Sequence, residues 1–156
     1  MVLVGEFLSK VTAGKRIAIP KQFRKLLGNE LIVTKGFEQH LILVNQDQFA
    51  RLTKEVSDQP FILGEVREVS RYLMGGAFEV QPDAQGRFVV PEKLLQFAQI
   101  KSKAVFLGLG NWVEVWDELV WKRHEQVLAK QSGQVATRLA TLNISNMGNK
   151  KVGGGV

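Results

Sequence analysis

Two arginines stand in nearly the same local sequence, and arginine is well suited to binding planar groups that accept hydrogen bonds. Arg16 opens the run Arg16-Ile17-Ala18-Ile19-Pro20, and Arg87, 71 positions later, opens Arg87-Phe88-Val89-Val90-Pro91. A guanidinium presents its N–H donors in a fixed fork that matches a phosphate, a carboxylate or the edge of a guanine. Because a repeated phrase marks a repeated structural unit, the chain is expected to contain two copies of one folding element.

The first arginine lies in a segment that is basic throughout. Between Glu6 and Glu30 every charged residue is cationic, and these residues are Lys10, Lys15, Arg16, Lys21, Arg24 and Lys25. The formal net charge of the whole chain is +6, so this segment carries the entire excess. Such a concentration on a repeated element favours a polyanionic partner over a surface of scattered, solvated lysines.

Two glycine-containing fragments resemble nucleotide-binding loops but lack the residues those loops need. Gly14-Lys15 would require a glycine five positions before Gly14 and a serine or threonine after the lysine, where the chain has Ser9 and Arg16. Gly108-Leu109-Gly110 begins like a dinucleotide fingerprint, but Val113 occupies the third glycine position. No cofactor is therefore expected.

The remaining polar and aromatic residues do not form a catalytic or metal-binding pattern. The chain has no cysteine and two histidines, His40 and His124, which are interpreted as surface residues. Asp83 stands alone in a turn, where its carboxylate is expected to accept backbone N–H groups and so shape the loop before Arg87. Core packing is preferred over base stacking for the three tryptophans, Trp112, Trp116 and Trp121. The sequence thus predicts neither an enzyme nor a metal protein.

The bulk properties fit a globular protein of the cytoplasm. The absence of cysteine is consistent with a reducing compartment, and no apolar run reaches the length needed to cross a bilayer. The N-terminal residues lack a basic segment followed by an apolar one, so no signal peptide is expected. With 156 residues, two halves of this size would fold more comfortably around one shared core than apart.

Both copies predict the same order of elements, which is a strand, a turn, a short strand, a proline-led helix and two paired strands. Apolar residues at i, i+3 and i+4, such as Phe23, Leu26 and Leu27, indicate the first of these helices. A helix through the periodic residues after Gly64 is expected in the linker, and the polar, aperiodic end is expected to be mobile. The resulting division is repeat 1 at 5–56, a linker with a helix at 57–75, repeat 2 at 76–131 and a flexible tail at 132–156.

The second copy resembles a known signature. Asp83-Ala84-Gln85-Gly86-Arg87-Phe88-Val89-Val90-Pro91 is similar to the Asp-x-x-Gly-Arg, apolar strand, Pro motif of the AbrB-like swapped-hairpin DNA-binding domains. Two such copies in one chain resemble the MraZ family of bacterial transcriptional regulators. The flanking runs Gly5-Glu6-Phe7, Gly75-Gly76-Ala77-Phe78-Glu79 and Val113-Glu114-Val115-Trp116-Asp117 support this resemblance, which covers roughly residues 1–130.

The resemblance implies a fold and a function. The implied fold is mainly β with helices and barrel-like, with two β-α-β-β repeats interlocked in a pseudo-twofold core and flanked by helices. The implied function is sequence-specific binding of double-stranded DNA as a transcriptional regulator, usually a repressor. Its sites would be short direct repeats upstream of a division and cell-wall gene cluster. Ring-like homo-oligomers and a cytoplasmic, nucleoid-associated location are implied as well.

The analogy also assigns residues, and the two copies differ. The implied DNA contacts are Lys10, Lys15, Arg16, Arg24, Lys25 and Arg87. The residues expected to shape the loops are Thr12, Gly14, Asp83 and Gly86. Copy one has Thr12 where the motif has aspartate and Lys15 where it has glycine, with Gly14 one place earlier. Copy two has Leu95 and Gln96 at the positions of Arg24 and Lys25, so copy one is expected to carry the main DNA-facing surface.

The sequence is compatible with other functions as well. AbrB-like folds also serve as antitoxins, so a protein-interaction module is the main alternative, although the glycine-rich tail is poor in apolar anchors. RNA binding is compatible with the basic segment. An enzyme such as a small transferase lacks a nucleophile–base pair in this sequence.

Overall fold

A computed structural model describes residues 2–152 and contains eight strands and five helices over that range. The strands are β1 (Leu3–Lys10), β2 (Arg16–Ala18), β3 (Leu31–Lys35), β4 (Leu41–Asn45), β5 (Phe78–Val80), β6 (Arg87–Val89), β7 (Lys103–Gly110) and β8 (Val113–Asp117). The helices are α1 (Lys21–Leu27), α2 (Gln46–Ser57), α3 (Gly64–Leu73), α4 (Glu92–Ala98) and α5 (Glu118–Val152). The chain divides into two compact units, one ending at Trp121 and one beginning at Lys122.

The helix starts follow from local sequence. Pro20 and Pro91 precede α1 and α4 with nearly equal backbone angles, because proline fixes φ near the helical value and has no N–H to leave unpaired. Asn45 caps α2 by accepting the Gln48 N–H, while the Gln48 side chain accepts the Asn45 N–H at 2.9 Å, which completes a capping box. Asp117 caps α5 by accepting the N–H of Leu119 at 3.0 Å.

The strand order shows that the two repeats interlock. The large sheet runs β1-β7-β8-β4-β3-β5, and all of its pairs are antiparallel. Exchanging each strand for its counterpart in the other repeat turns this order into its own reverse, which is a pseudo-twofold arrangement. The first strand of each repeat pairs with the third strand of the other, β1 with β7 and β5 with β3. The interlocked, mainly β fold is confirmed, but the sheet is open and its edges do not close into a barrel.

A second, two-stranded sheet joins the arginine phrases of the two repeats. Here β2 and β6 pair antiparallel, with Arg16 opposite Val89, Ile17 opposite Phe88 and Ala18 opposite Arg87. Side chains alternate between the faces of a strand, and Ile17 and Phe88 are only 1% and 3% exposed. The inner face of this ribbon therefore belongs to the core, and its outer face carries the other four residues.

The linker forms the expected helix, and side-chain hydrogen bonds tie it to the first repeat. The buried Thr34 hydroxyl donates to the carbonyl of Leu73 at 2.7 Å. The Tyr72 hydroxyl also donates to the carbonyl of Gly36. These bonds hold the C-terminal turn of α3 against β3 and the turn that follows it.

The C-terminal segment differs from the expectation of an aperiodic tail, because α5 continues through it to Val152. Leu128, Val135, Leu139 and Leu142 are exposed and recur at helical spacing along one face. Glutamine, serine and threonine between them hid this period in the sequence. Residues 153–156 of the expected tail lie outside the described residues. No helix in the described range is long and apolar enough to cross a membrane.

His40 is buried, contrary to its interpretation as a surface residue. Its side chain is 2% exposed and stacks on Trp116 with 4.6 Å between ring centroids. Its Nε2 lies 3.3 Å from a carboxylate oxygen of Glu114. Burial alone raises the pKa of Glu114, but hydrogen bonds from His40, Trp112 and Trp116 bring it below its usual range. The cluster packs against the sheet, so Trp116 has the expected core role.

Candidate nucleic-acid interface

The loops before the two arginines have the same hydrogen-bond pattern despite their different sequences. In copy two, Asp83 Oδ1 accepts the backbone N–H of Arg87 at 2.9 Å, and the Asp83 N–H donates to the Arg87 carbonyl at 2.8 Å. In copy one, Thr12 Oγ1 accepts the Arg16 N–H at 3.2 Å, and the Thr12 N–H donates to the Arg16 carbonyl at 3.0 Å. Thr12 thus takes the place of the aspartate, and its hydroxyl accepts a longer hydrogen bond without a negative charge.

The residue before each arginine takes the left-handed backbone conformation. Gly86 has φ +76° and Lys15 has φ +59°, while Gly14 does not have a positive φ. Lysine at this position costs roughly 1–2 kcal/mol relative to an ordinary conformation. The loop geometry of copy one is therefore kept by Lys15 itself, and the neighbouring Gly14 does not supply it.

Each loop is also tied to the other repeat. The Lys15 carbonyl accepts the Val90 N–H at 3.0 Å, and the Gly86 carbonyl accepts the Ile19 N–H at 2.8 Å. The Lys15 ammonium forms an ion pair with Glu92 at the start of α4. The two arginine loops are thus fixed to each other through the ribbon rather than projecting as separate arms.

Arg24 holds the copy-two loop from the side of α1. Its Nε donates to the carbonyl of Ile19 at 2.7 Å. Its guanidinium lies so close to Gly86 that a Cβ there would come within 2.1 Å of Nε. Part of the donor capacity of Arg24 is therefore used inside the protein, and its contact with DNA stays a prediction.

The outer face of the β2–β6 ribbon places the two arginines together. Residues directly opposite one another in an antiparallel pair point to the same side of the sheet, so Arg16, Val89, Ala18 and Arg87 share this face. The arginines occupy opposite corners, and diagonal neighbours of this kind lie about 7–8 Å apart between Cα atoms. Their guanidinium groups project from one rigid platform that the core supports from below.

The two arginines differ in their charge partners. Arg87 Nε donates to Asp83 Oδ2 at 3.1 Å, which orients the guanidinium. The backbone N–H of Arg87, the Asp83–Arg87 ion pair and the Gln85 N–H together lower the pKa of Asp83. Arg16 is exposed and has no carboxylate in ion-pair distance within the described residues. Its positive charge is accordingly the less neutralised of the two.

The remaining predicted contacts lie outside the ribbon. Lys10 is the exposed last residue of β1 and sits opposite Lys103 in the large sheet. Lys25 is exposed in the last turn of α1, one residue beyond Arg24. The structure therefore brings Arg16 and Arg87 together on the ribbon, while Lys10 and Lys25 belong to flanking elements.

Three residues of this surface were not singled out from the sequence. Glu92 neutralises Lys15 across the repeats, and no spacing rule connects residues so far apart in the chain. Ala18 and Val89 on the outer face were detectable, because alternation in Arg16-Ile17-Ala18 and Arg87-Phe88-Val89 puts the first and third residue on one side. No cluster able to hold a metal ion occurs among the residues that the structure describes.

Comparison with known proteins identifies the family. The family model described as "MraZ protein, putative antitoxin-like" matches residues 4–72 and again residues 73–143. The chain belongs to the MraZ family. The two matched segments correspond to the two interlocked repeats, so the sequence resemblance is confirmed over nearly the whole described chain.

Relatives in this family are named as regulators. The "Transcriptional regulator MraZ" of Acetivibrio thermocellus is 31% identical over 90% of this chain and 98% of its own length. The protein of the same name from Caldanaerobacter subterraneus is 27% identical over 92% of this chain and all of its own. The solution structure of PHS018 from Pyrococcus horikoshii covers 70% of this chain with 19% identity and a TM-score of 0.32, which is too remote to bear on function.

Proposed function

We propose that this protein is a sequence-specific regulator of transcription that binds double-stranded DNA through the outer face of the β2–β6 ribbon. The observation that carries the proposal is the placement of Arg16 and Arg87 on one exposed face of a two-stranded ribbon. The major groove of B-DNA, about 12 Å wide, admits such a ribbon. The names of the MraZ relatives as transcriptional regulators support the same conclusion.

Base recognition is assigned to the two arginines. Each guanidinium can donate bidentately to O6 and N7 of a guanine, which discriminates against a wrong base by about 1–3 kcal/mol. The bond from Asp83 holds the guanidinium of Arg87 in one orientation. Arg16 lacks such a carboxylate, so it contributes a larger share of the electrostatic attraction as well as a base contact.

Phosphate binding is assigned to the lysines around the ribbon. Lys10, Lys21 and Lys25 are exposed on β1 and α1, and each phosphate that they neutralise releases a condensed counterion. Lys15 contributes less, because Glu92 already compensates its charge. This part of the interface gives affinity and orientation but carries no base information.

A gel-shift comparison tests the role of Arg16. Arg16→Ala should lower affinity for a duplex selected from a random pool about 10- to 100-fold, because one bidentate contact is lost. Arg51→Ala removes the same charge from an exposed position on α2 and serves as the matched control with little change. If Arg16→Ala binds the selected duplex and a scrambled duplex with the same affinities as wild type does, the proposed site is overturned.

Assembly into an oligomer would add to the specificity of a single protomer. Because one ribbon offers only two arginines, useful specificity requires several protomers on neighbouring sites, which a ring-like homo-oligomer on short direct repeats provides. We propose a repressor role upstream of a division and cell-wall gene cluster, with the protein on the nucleoid. Light scattering should then give a mass several times 17.4 kDa; a monomer at micromolar concentration would argue against the assembly.

An antitoxin-like role is the second candidate, because the description of the matching family model contains that word. This role predicts a stoichiometric protein partner in addition to, or instead of, DNA. Purification from the native host followed by mass spectrometry distinguishes the two, since a regulator acting alone should not retain such a partner through a high-salt wash.

A further inference from the structure

The outer face of the ribbon alternates charged and apolar side chains. Each arginine stands directly across from an apolar residue, Arg16 from Val89 and Arg87 from Ala18. Val89 is 52% exposed. It shares its face of the ribbon with Arg16 and Arg87, the two residues assigned to base recognition. Single exposed valines are common on proteins; this one lies on the face assigned to base recognition, directly across from Arg16.

The pseudo-twofold relation shows that the two apolar positions are not equivalent. The symmetry that exchanges Arg16 with Arg87 also exchanges Ala18 with Val89, since the same 71-residue offset separates both pairs. Both arginines are kept, but one half of the face has a methyl group where the other has a β-branched side chain. The platform therefore carries one arginine in each half but differs between the halves in the size of its apolar side chain.

We propose that Val89 contacts the C5-methyl group of a thymine next to the guanine bound by Arg16, and that Ala18 makes no corresponding contact beside Arg87. Thymine is the base that presents a methyl group in the major groove, where apolar side chains recognise it. Residues paired across two strands have Cβ atoms about 4.5–5.5 Å apart, which is close enough for Arg16 and Val89 to reach neighbouring bases. The inference rests on the proposed function and extends it to one residue and one base.

The proposal gives the binding site a direction. Two arginines related by a twofold axis would read a symmetric pair of guanines, whichever way the ribbon lay in the groove. Because Val89 has the smaller Ala18 as its counterpart, the two orientations of the ribbon in the groove make different contacts with the bases. Binding to a set of direct repeats requires such a preferred orientation, because every protomer must lie in the same direction along the DNA.

Replacement of thymine by deoxyuridine provides the test, since it removes only the methyl group. Wild-type protein first selects duplexes from a random pool, and each thymine of the enriched duplex is then replaced singly by deoxyuridine. At one thymine beside a guanine, affinity of wild type should fall about three- to fivefold, as expected for one buried methyl-sized group. Val89→Ala should bind the original duplex more weakly by a similar factor and be insensitive to the replacement.

A second valine provides a matched control. Val4→Ala makes the same chemical change at an exposed position of β1 and should keep the sensitivity of wild type. If a sequence is enriched but no thymine is sensitive, or Val89→Ala stays sensitive, the Val89 contact is overturned while the regulator function stands. If no sequence is enriched at all, the proposed function fails together with the contact.

Discussion

At the scale of single residues, the two arginine loops show how one backbone geometry is reached by different side chains. Asp83 and Gly86 provide it in copy two, with a carboxylate that accepts two backbone N–H groups and a glycine in the left-handed region. Thr12 and Lys15 provide it in copy one with a hydroxyl and a strained lysine. The residue before the arginine can therefore carry a side chain in copy one, as Lys15 does, whereas in copy two the Arg24 guanidinium occupies the space beside Gly86.

Substitution of Gly86 tests this difference. Gly86→Ala adds a Cβ in a positive-φ conformation, in a space that the Arg24 guanidinium already occupies. We expect it to lower the free energy of unfolding by about 1–3 kcal/mol, measured by urea denaturation. Gly14→Ala is the control, because Gly14 has an ordinary φ and its nearest neighbour would be Thr12 Oγ1 at 4.0 Å; a loss as large as that of Gly86→Ala would contradict the assignment.

The carboxylate of Asp83 should make stability depend on pH in the acidic range. Hydrogen bonds from the backbone N–H groups of Arg87 and Gln85 lower its pKa below the ordinary value of 3.8. A depressed pKa in the folded state contributes stability above the unfolded pKa, and this contribution is lost as pH falls through the folded pKa. Urea midpoints measured from pH 5 down to pH 2.5 should therefore fall more steeply for wild type than for Asp83→Asn. Identical slopes would show that this carboxylate does not contribute.

Residue-level expectations from the sequence succeeded where the contact was local. The turn role of Asp83 was predictable, because its partners lie two to four positions along the chain. The burial of His40 against Trp116 was not, since it depends on pairing between β4 and β8. The same holds for the ion pair of Lys15 with Glu92, which neutralises one of the six positive charges of the basic segment.

At the scale of elements, the strands and short helices follow closely from local sequence signals. The prolines before α1 and α4, the Asn45 cap of α2 and the apolar spacing of α3 place those helices. The exception is α5 beyond residue 132, where threonines, asparagines, a serine and two glycines lower the apparent helix propensity. Within that helix Leu128, Val135 and Leu142 recur every seven residues, a spacing that is visible only over a long window.

Gly133 offers a test of the continued helix. It lies within α5, and a Cβ there would meet no other atom within 4 Å. Because glycine costs roughly 1 kcal/mol relative to alanine inside a helix, Gly133→Ala should slow hydrogen exchange of the amides around it about fivefold. Gly14→Ala lies in a loop and should leave these amides unchanged. If Gly133→Ala leaves exchange around residue 133 unaltered, α5 does not form a helix there.

At the scale of the whole molecule, interlocking makes the two repeats one folding unit. The first strand of each repeat has its hydrogen-bonding partner in the other repeat, and the ribbon takes one strand from each. Neither repeat can complete its sheet alone. The sequence predicted the interlocked repeats through the family resemblance, but the open sheet depends on strand order, which local patterns do not encode.

A pair of core substitutions distinguishes one unit from two. Phe23 in repeat 1 and Leu94 in repeat 2 are equivalent by the 71-residue offset and are 0% and 2% exposed. All three tryptophans, Trp112, Trp116 and Trp121, lie in repeat 2, so their fluorescence follows the unfolding of that repeat, with a contribution from the contact of Trp116 with His40 of repeat 1. Phe23→Ala should cost about 3–5 kcal/mol and Leu94→Ala about 2–5 kcal/mol, and both should shift the fluorescence transition in urea.

The result for Phe23→Ala decides between the two descriptions, because this residue and the fluorescent probes are in different repeats. Phe23 packs edge to face on Phe7 with 5.1 Å between centroids and reaches Gly108 in repeat 2, where an added Cβ would come within 2.8 Å of its ring. Loss of this ring should therefore destabilise the β1–β7 junction and with it the tryptophan cluster. Independent repeats would instead leave a fluorescence transition of repeat 2 at the wild-type midpoint in Phe23→Ala, separate from any earlier change caused by loss of the His40–Trp116 contact, and only Leu94→Ala would lower that midpoint.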